Sequence, residues 1–287
     1  MSTTLHDSAA ALDGAPGTPL GDAFPASATA DAFATSAAAD APRSPAAAEA
    51  RYDALVSTLR DIADEHPDVV LASSLAAEDM VLTHAIFAND IAIDIFTLDT
   101  GRLNPETLGM IDTITAHYGK TVRVVRPDPI AVDRYVNEHG ANAFYESVPL
   151  RKACCDIRKV VPLRGALAGR SAWITGQRRE QAVTRGELPE REHDPVFGLE
   201  KYNPLALWTQ DDVWQTLRQL GVPTNPLHDR GYPSIGCEPC TRAIRPGEDL
   251  RAGRWWWESS DSKECGLHAG NVSAIPVSVV EFSKRSG

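Results

Sequence analysis

From residue 52 onward the chain alternates between two apolar rhythms. Tyr52 to Glu65 places apolar side chains at helical spacing, and Val69-Val70-Leu71-Ala72 is a short continuous apolar run closed by Ser73-Ser74. The first pattern predicts a helix and the second a buried strand. The alternation continues with a helix over 77–88, a strand over 91–98, a helix over 104–117, a strand over 121–125 and a fourth strand at 172–175. Strands that alternate with helices imply βαβ units and a parallel sheet. The expected fold class is therefore α/β with a Rossmann-like parallel sheet. Gln210-Asp211-Asp212 reads as an ordinary helix start with acidic first-turn residues.

The first 49 residues break this rhythm. They are rich in Ala, Pro, Ser, Thr and Asp, and six acidic residues face only Arg43. Such a segment buries too little apolar surface to offset its ordering entropy, so it is expected to be a disordered acidic tail. It has neither the basic start nor the apolar stretch of a signal peptide, and no run in the chain is long and apolar enough to predict a membrane span. The expectation is a cytoplasmic protein without a membrane partner. Residues 50–250 then form one α/β domain, and 251–287 a mobile C-terminal segment.

Net charge is −11 over 287 residues, which argues against nucleic acid as a partner. Charge is uneven, however. Nine basic residues and only Asp156 and Glu180 as acids lie between 151 and 185. A basic pocket in an acidic protein suggests a small anionic ligand, although Arg164 and Arg170 read as solvated helix positions.

In a parallel sheet, ligands bind beyond the C-terminal strand ends. Three segments fall there: Ser73 to Asp79, Leu98-Asp99-Thr100-Gly101-Arg102, and Thr175-Gly176-Gln177-Arg178-Arg179-Glu180. Each alone is an ordinary turn or helix cap. Together they suggest a phosphate-bearing nucleotide held by small residues, backbone amides and guanidinium groups.

Five cysteines carry the remaining chemistry. Cys154 and Cys155 are adjacent, Cys237 and Cys240 form a Cys-x-x-Cys turn, and Cys265 stands alone. Four ligands plus one reactive thiol is the simplest arithmetic. A reducing compartment counts against a vicinal disulfide, and the long separation of the pairs counts against a dithiol redox couple. A structural zinc and a four-iron cluster both remain, with spacing ahead for the cluster because adjacent thiolates strain at one ion. Cys265 has Arg251, Arg254, Lys263 and His268 near in sequence, and cationic neighbours favour a thiolate. Trp255-Trp256-Trp257 is expected to pack as core and lid, and His84, His117, His193 and His228 receive no role.

Lys152 to Lys159, Cys237-Glu238-Pro239-Cys240-Thr241-Arg242, Arg254 to Glu258 and Glu264-Cys265-Gly266-Leu267-His268, with the Asp-Thr-Gly-Arg and Gly-Gln-Arg-Arg loops, resemble the assimilatory adenylyl-sulfate reductases of the wider phosphoadenylyl-sulfate reductase family. The resemblance runs in order from about residue 50 to 270. It implies a fold like that of the adenine-nucleotide ATP pyrophosphatases, and reduction of adenosine 5′-phosphosulfate to sulfite and AMP through an S-sulfocysteine. It implies one 4Fe-4S cluster on Cys154, Cys155, Cys237 and Cys240, and Cys265 as nucleophile. Lys159 would lie between cluster and substrate, Arg251 and Arg254 would meet the sulfate end, and His268 would be nearby. Ser73, Ser74, Thr100, Gly101, Gly176 and Arg178 are the expected nucleotide contacts. A thioredoxin or glutaredoxin-like thiol donor would release sulfite, since no resolving cysteine remains. The oligomeric state stays open.

One departure from the family pattern is Ala76, where Gly often precedes Ala-Glu-Asp, and Ala narrows the backbone freedom of that loop. Three rivals stand beside this reading. The same chemistry on the 3′-phosphorylated substrate is the nearest. A tRNA thiolase would need a Ser-Gly-Gly-x-Asp-Ser type loop, which the sequence lacks, and a zinc-stabilised binding module would have no catalysis.

Overall fold

The computed structural model describes residues 44–181 and 187–258. Cys265, His268 and most of the acidic tail lie outside these residues. Thirteen labelled elements follow in chain order: α1 Pro45–Glu65, β1 Val70–Ser73, α2 Ala77–Ala88, β2 Asp94–Leu98, α3 Pro105–Tyr118, β3 Arg123–Val125, α4 Pro129–His139, α5 Val148–Cys155, α6 Val161–Leu167, β4 Ala172–Ile174, β5 Arg191–Asp194, β6 Leu199–Tyr202 and α7 Gln210–Gln219. A π-helical turn, Asp156–Val160, joins α5 to α6.

One six-stranded sheet has the order β3-β2-β1-β4-β6-β5. All neighbours pair in parallel except the edge strand β5, which runs antiparallel to β6. The four strands expected from the sequence are β1 to β4. Strands β5 and β6 were not foreseen, because Arg-Glu-His-Asp and Leu-Glu-Lys-Tyr are polar and short. Charged side chains of this kind protect a sheet edge from further pairing.

Both faces of the sheet are covered, which is why its strands read as apolar runs. Leu71, Ile95 and Ile174 face a core with Leu59, Met80, Ile114 and Leu217 from α1, α2, α3 and α7. Val70, Phe96 and Trp173 face the other side, against Leu163, Ala166 and Leu167 of α6. A third, smaller cluster groups Phe144, Cys237, Cys240 and Trp255.

Helix α1 starts at Pro45, seven residues ahead of the expected Tyr52, so residues 45–49 are helical and not tail. The reason is local. The Ser44 side chain accepts a hydrogen bond from the Ala47 amide, Pro45 occupies the first turn, and Ala46 to Ala48 are strong helix formers. Arg51 then pairs with the buried Asp212 at the start of α7, joining the two helices.

Helix α7 forms one wall of the site described below. Thr209 caps it in a reciprocal box: its side chain accepts from the Asp212 amide, and the Asp212 carboxylate accepts from the Thr209 amide at 2.9 Å. Thr209→Ala is expected to lower the unfolding free energy by about 1 kcal/mol, measured as a reduced urea midpoint at unchanged m-value.

Candidate active site

The loops at the C-terminal ends of β1, β2 and β4 converge on one cavity of about 350 Å³, a volume suited to a small-molecule ligand. Ser73, Ser74 and Ala76 to Asp79 line it from β1, Thr97, Leu98 and Thr100 from β2, and Thr175 to Arg178 from β4. Gln210, Asp211 and Trp214 of α7 line it from one side, and Lys159, Arg251 and Arg254 bring cations. Convergence at these strand ends follows from parallel pairing.

The β1 loop is held by its own polar groups. Leu75 adopts a left-handed φ of 61°, sparsely populated for a non-glycine residue. Its amide donates to the Ser73 hydroxyl at 3.2 Å, and the Ser74 amide and hydroxyl donate to Asp79 at 2.6 and 2.5 Å. Asp79 is buried, and desolvation pushes its carboxyl up to about 6 from the ordinary 3.8, against the hydrogen bonds from Ser74 that favour the anion. Gly176 packs against this carboxylate so closely that a Cβ there would collide with it. The β1 and β4 loops are thereby interlocked.

Two of the expected nucleotide contacts are placed differently from the others. Gly101 does not line the cavity. It takes a φ of +70° and turns the chain so that Arg158 can donate to the Thr100 carbonyl at 2.8 Å. Arg178 lies on the wall, but its guanidinium already pairs with Glu78 at 2.9 Å and Glu180 at 3.0 Å, and it is 2% exposed. Its charge is balanced by those carboxylates. Arg179 turns away to the Leu188 carbonyl, so the two guanidinium groups do not act as a pair.

Four cysteines line a second, smaller cavity beside the first: Cys154, Cys155, Cys237 and Cys240. No disulfide joins them. Cys154 and Cys155 end α5, while Cys237 precedes and Cys240 ends the short helical turn Glu238–Cys240. The Thr100 hydroxyl lies 3.3 Å from the Cys237 sulfur, linking the strand-end loop to the thiols. Burial pushes the Cys240 thiol up to about 12, opposed by Lys159 and Arg254. Cys154 is also raised, chiefly by burial. Arg102 and three residues of the basic island, Arg151, Arg158 and Lys159, share this cavity with the thiols. Lys159 lines both cavities. It sits in the π turn, the kind of helix bulge frequent at functional sites. Among the described residues, no three His, Cys, Asp or Glu side chains form a group arranged for a metal ion.

Arg254 is 7% exposed. It donates to the Ile235 carbonyl at 3.2 Å, while its Nε has no hydrogen-bond partner among the described residues. A buried guanidinium donor at a cavity wall suits an anionic ligand. Arg151 of α5 makes a bidentate pair with Glu258, at 2.9 and 2.8 Å, and lies over the Trp255 ring at 4.6 Å. Trp255 is buried as the sequence suggested, and Trp256 is exposed. Sequence reasoning missed Trp214 and His228, both on the cavity wall. The Ala77 amide that meets His228 is 151 positions away, so no local pattern marks that contact.

Fold and site together define an α/β protein with a strand-end ligand pocket adjoining a thiol-lined cavity. The phosphoadenosine phosphosulfate reductase domain matches residues 68–243. The chain is 63% identical to the adenosine 5′-phosphosulfate reductase of Burkholderia cepacia over 227 residues, covering 79% of this chain and 91% of that protein. It is 56% identical to the adenosine 5′-phosphosulfate reductase of Allochromatium vinosum over 218 residues, covering 76% and 85%. The phosphoadenylyl-sulfate reductase of Candida auris, solved as a phosphate complex, shares the fold with a TM-score of 0.57 at 23% identity, covering 72% of this chain and all of that one. The chain belongs to the phosphoadenosine phosphosulfate reductase family.

The raised pKa of Asp79 carries a prediction. The folded protein holds this proton more tightly than the unfolded chain between pH 3.8 and about 6, so that stabilisation is full below the window and is lost as pH rises through it. In urea titrations across this range, Asp79→Asn is expected to lose less stability with rising pH than the parent protein.

Proposed function

We propose that the chain reduces adenosine 5′-phosphosulfate to sulfite and AMP, with electrons from a thioredoxin-like dithiol. The observation that carries this reading is that Lys159 borders both the strand-end pocket and the cavity of four thiols. The relatives named adenosine 5′-phosphosulfate reductase favour the substrate without a 3′-phosphate.

In this reading the four cysteines would hold a 4Fe-4S cluster, supported by their origin in two chain segments, their shared cavity and the cations around it that suit an anionic thiolate-ligated core. When bound, the cluster would supply a fixed local field beside the substrate. Lys159, Arg251 and Arg254 sit on the pocket wall, where they offset the charge gathered as a thiolate meets a sulfate group. Arg178, Glu78 and the Ser74–Asp79 bonds hold the nucleotide loops in place before substrate arrives.

Cys265 serves as the nucleophile. Its thiolate attacks the sulfate sulfur, the S–O bond to the phosphate breaks, and AMP leaves with that bonding pair. The product on the protein is Cys265–S–SO₃⁻. One thiolate of the external dithiol then attacks the Cys265 sulfur and expels sulfite, and its second thiol resolves the mixed disulfide. The dithiol is oxidised by two electrons, and Cys265 returns as a thiol.

Cys265→Ser is expected to abolish sulfite formation while anaerobically purified protein keeps about four irons per chain. Loss of iron in that variant would mean the thiols are wrongly assigned. Lys159→Ala is expected to slow turnover about a hundredfold, with an unchanged melting temperature. An equal rate would remove Lys159 from the mechanism. Steady-state rates that favour the 3′-phosphorylated substrate would overturn the substrate assignment.

A further inference from the structure

We infer that His228 is a positioning residue for the substrate, supplying from across the fold the cap that α2 lacks at its own N-terminus. This rests on the reading that adenosine 5′-phosphosulfate occupies the strand-end pocket. Ala76 is the N-cap residue of α2 and has the extended backbone of a cap, φ −91° and ψ 175°, but no side chain able to accept a hydrogen bond. The Ala77 amide instead donates to His228 Nε2 at 3.2 Å.

The other ring nitrogen fixes the protonation state. His228 Nδ1 lies 2.8 Å from the Tyr232 carbonyl, which can only accept. Nδ1 therefore carries the proton, and Nε2 presents its lone pair to an amide that can only donate. One state satisfies both contacts: the neutral ring protonated at Nδ1. A second proton would set N–H against N–H at the positive end of a helix. Burial holds the ring below its ordinary pKa, opposed by the nearby carboxylates of Glu78 and Asp229. Trp214 meets the ring edge-on at 5.1 Å and fixes its plane.

His228 thus pins the loop that opens α2. Ala76 to Asp79 of that loop line the pocket. The ring belongs to a short turn, His228–Arg230, closed by Gly231 at φ +84°. The chain leaving this turn reaches Cys237 six residues later. The ring therefore ties the nucleotide loop to the segment that carries two of the thiols. A residue that only shapes a binding loop acts equally on ground and transition states, so its loss raises KM and spares kcat.

The test is steady-state turnover of adenosine 5′-phosphosulfate by the full-length, iron-loaded protein and two variants. His228→Ala is expected to raise KM about tenfold with kcat within about twofold of the parent. His228→Gln places an acceptor oxygen near the position of Nε2 and is expected to return KM to within about threefold of the parent. An unchanged KM in His228→Ala, or equal impairment in both variants, would overturn the proposal. A parent protein that does not turn over this substrate would sink the substrate assignment instead. In that event the long-range ¹H–¹⁵N spectrum at neutral pH still decides the role of His228. A neutral ring protonated at Nδ1 supports it, and a ring protonated at Nε2 or at both nitrogens overturns it.

Discussion

Parallel pairing of β1 with both β2 and β4 is the constraint on which the site depends. It makes three loops, separated by up to a hundred residues, emerge on the same edge of the sheet. Antiparallel pairing of any one strand would send its loop to the opposite edge. Burial of both sheet faces holds the pairing in register, because a one-residue slip would exchange Leu71 and Ile95 with Val70 and Phe96 between two differently shaped cores. The pocket is therefore a consequence of how the core is packed, with the chemistry delivered afterwards by loops.

Charge in the site is divided by purpose. Arg178 and Asp79 lie on the pocket wall but direct their polar atoms at neighbouring protein groups. Arg102, Arg151 and Arg158 are gathered around sulfur. Arg151 is anchored on Glu258, a buried pair whose rupture would strand a charge and cost about 3–5 kcal/mol. Lys159 is placed differently, at the boundary of both cavities. A pocket with this division is firm before ligand arrives, since the groups that shape it are already satisfied by each other.

Much of this was legible in the sequence, and the omissions have physical causes. Four strands and the first three helices follow from apolar periodicity, because the elements that build the core must carry it. The three strand-end loops were marked by Ser, Gly and Thr after apolar runs. The gathering of all four cysteines was legible as spacing and count. Strand β5 was hidden because an exposed edge strand needs charge more than hydrophobicity. Helix α1 began early because a Ser-Pro start, a capping signal, stood inside what composition marked as tail. The surroundings of Arg178 and Gly101 were hidden for the same reason: a sequence names a guanidinium and a glycine, and only three-dimensional neighbours show which groups they meet. His228 was passed over because its meaning comes from an amide 151 positions away.

The Arg151–Glu258 pair also sets a tether. It fixes the chain at a point beside the cysteine-bearing helix, and Cys265 follows seven residues later. A chain of that length spans at most roughly 25 Å. If Cys265 is the nucleophile, as proposed, a tether of this length corresponds to an effective concentration on the order of millimolar. An encounter that would otherwise be bimolecular becomes a search within a small, fixed volume.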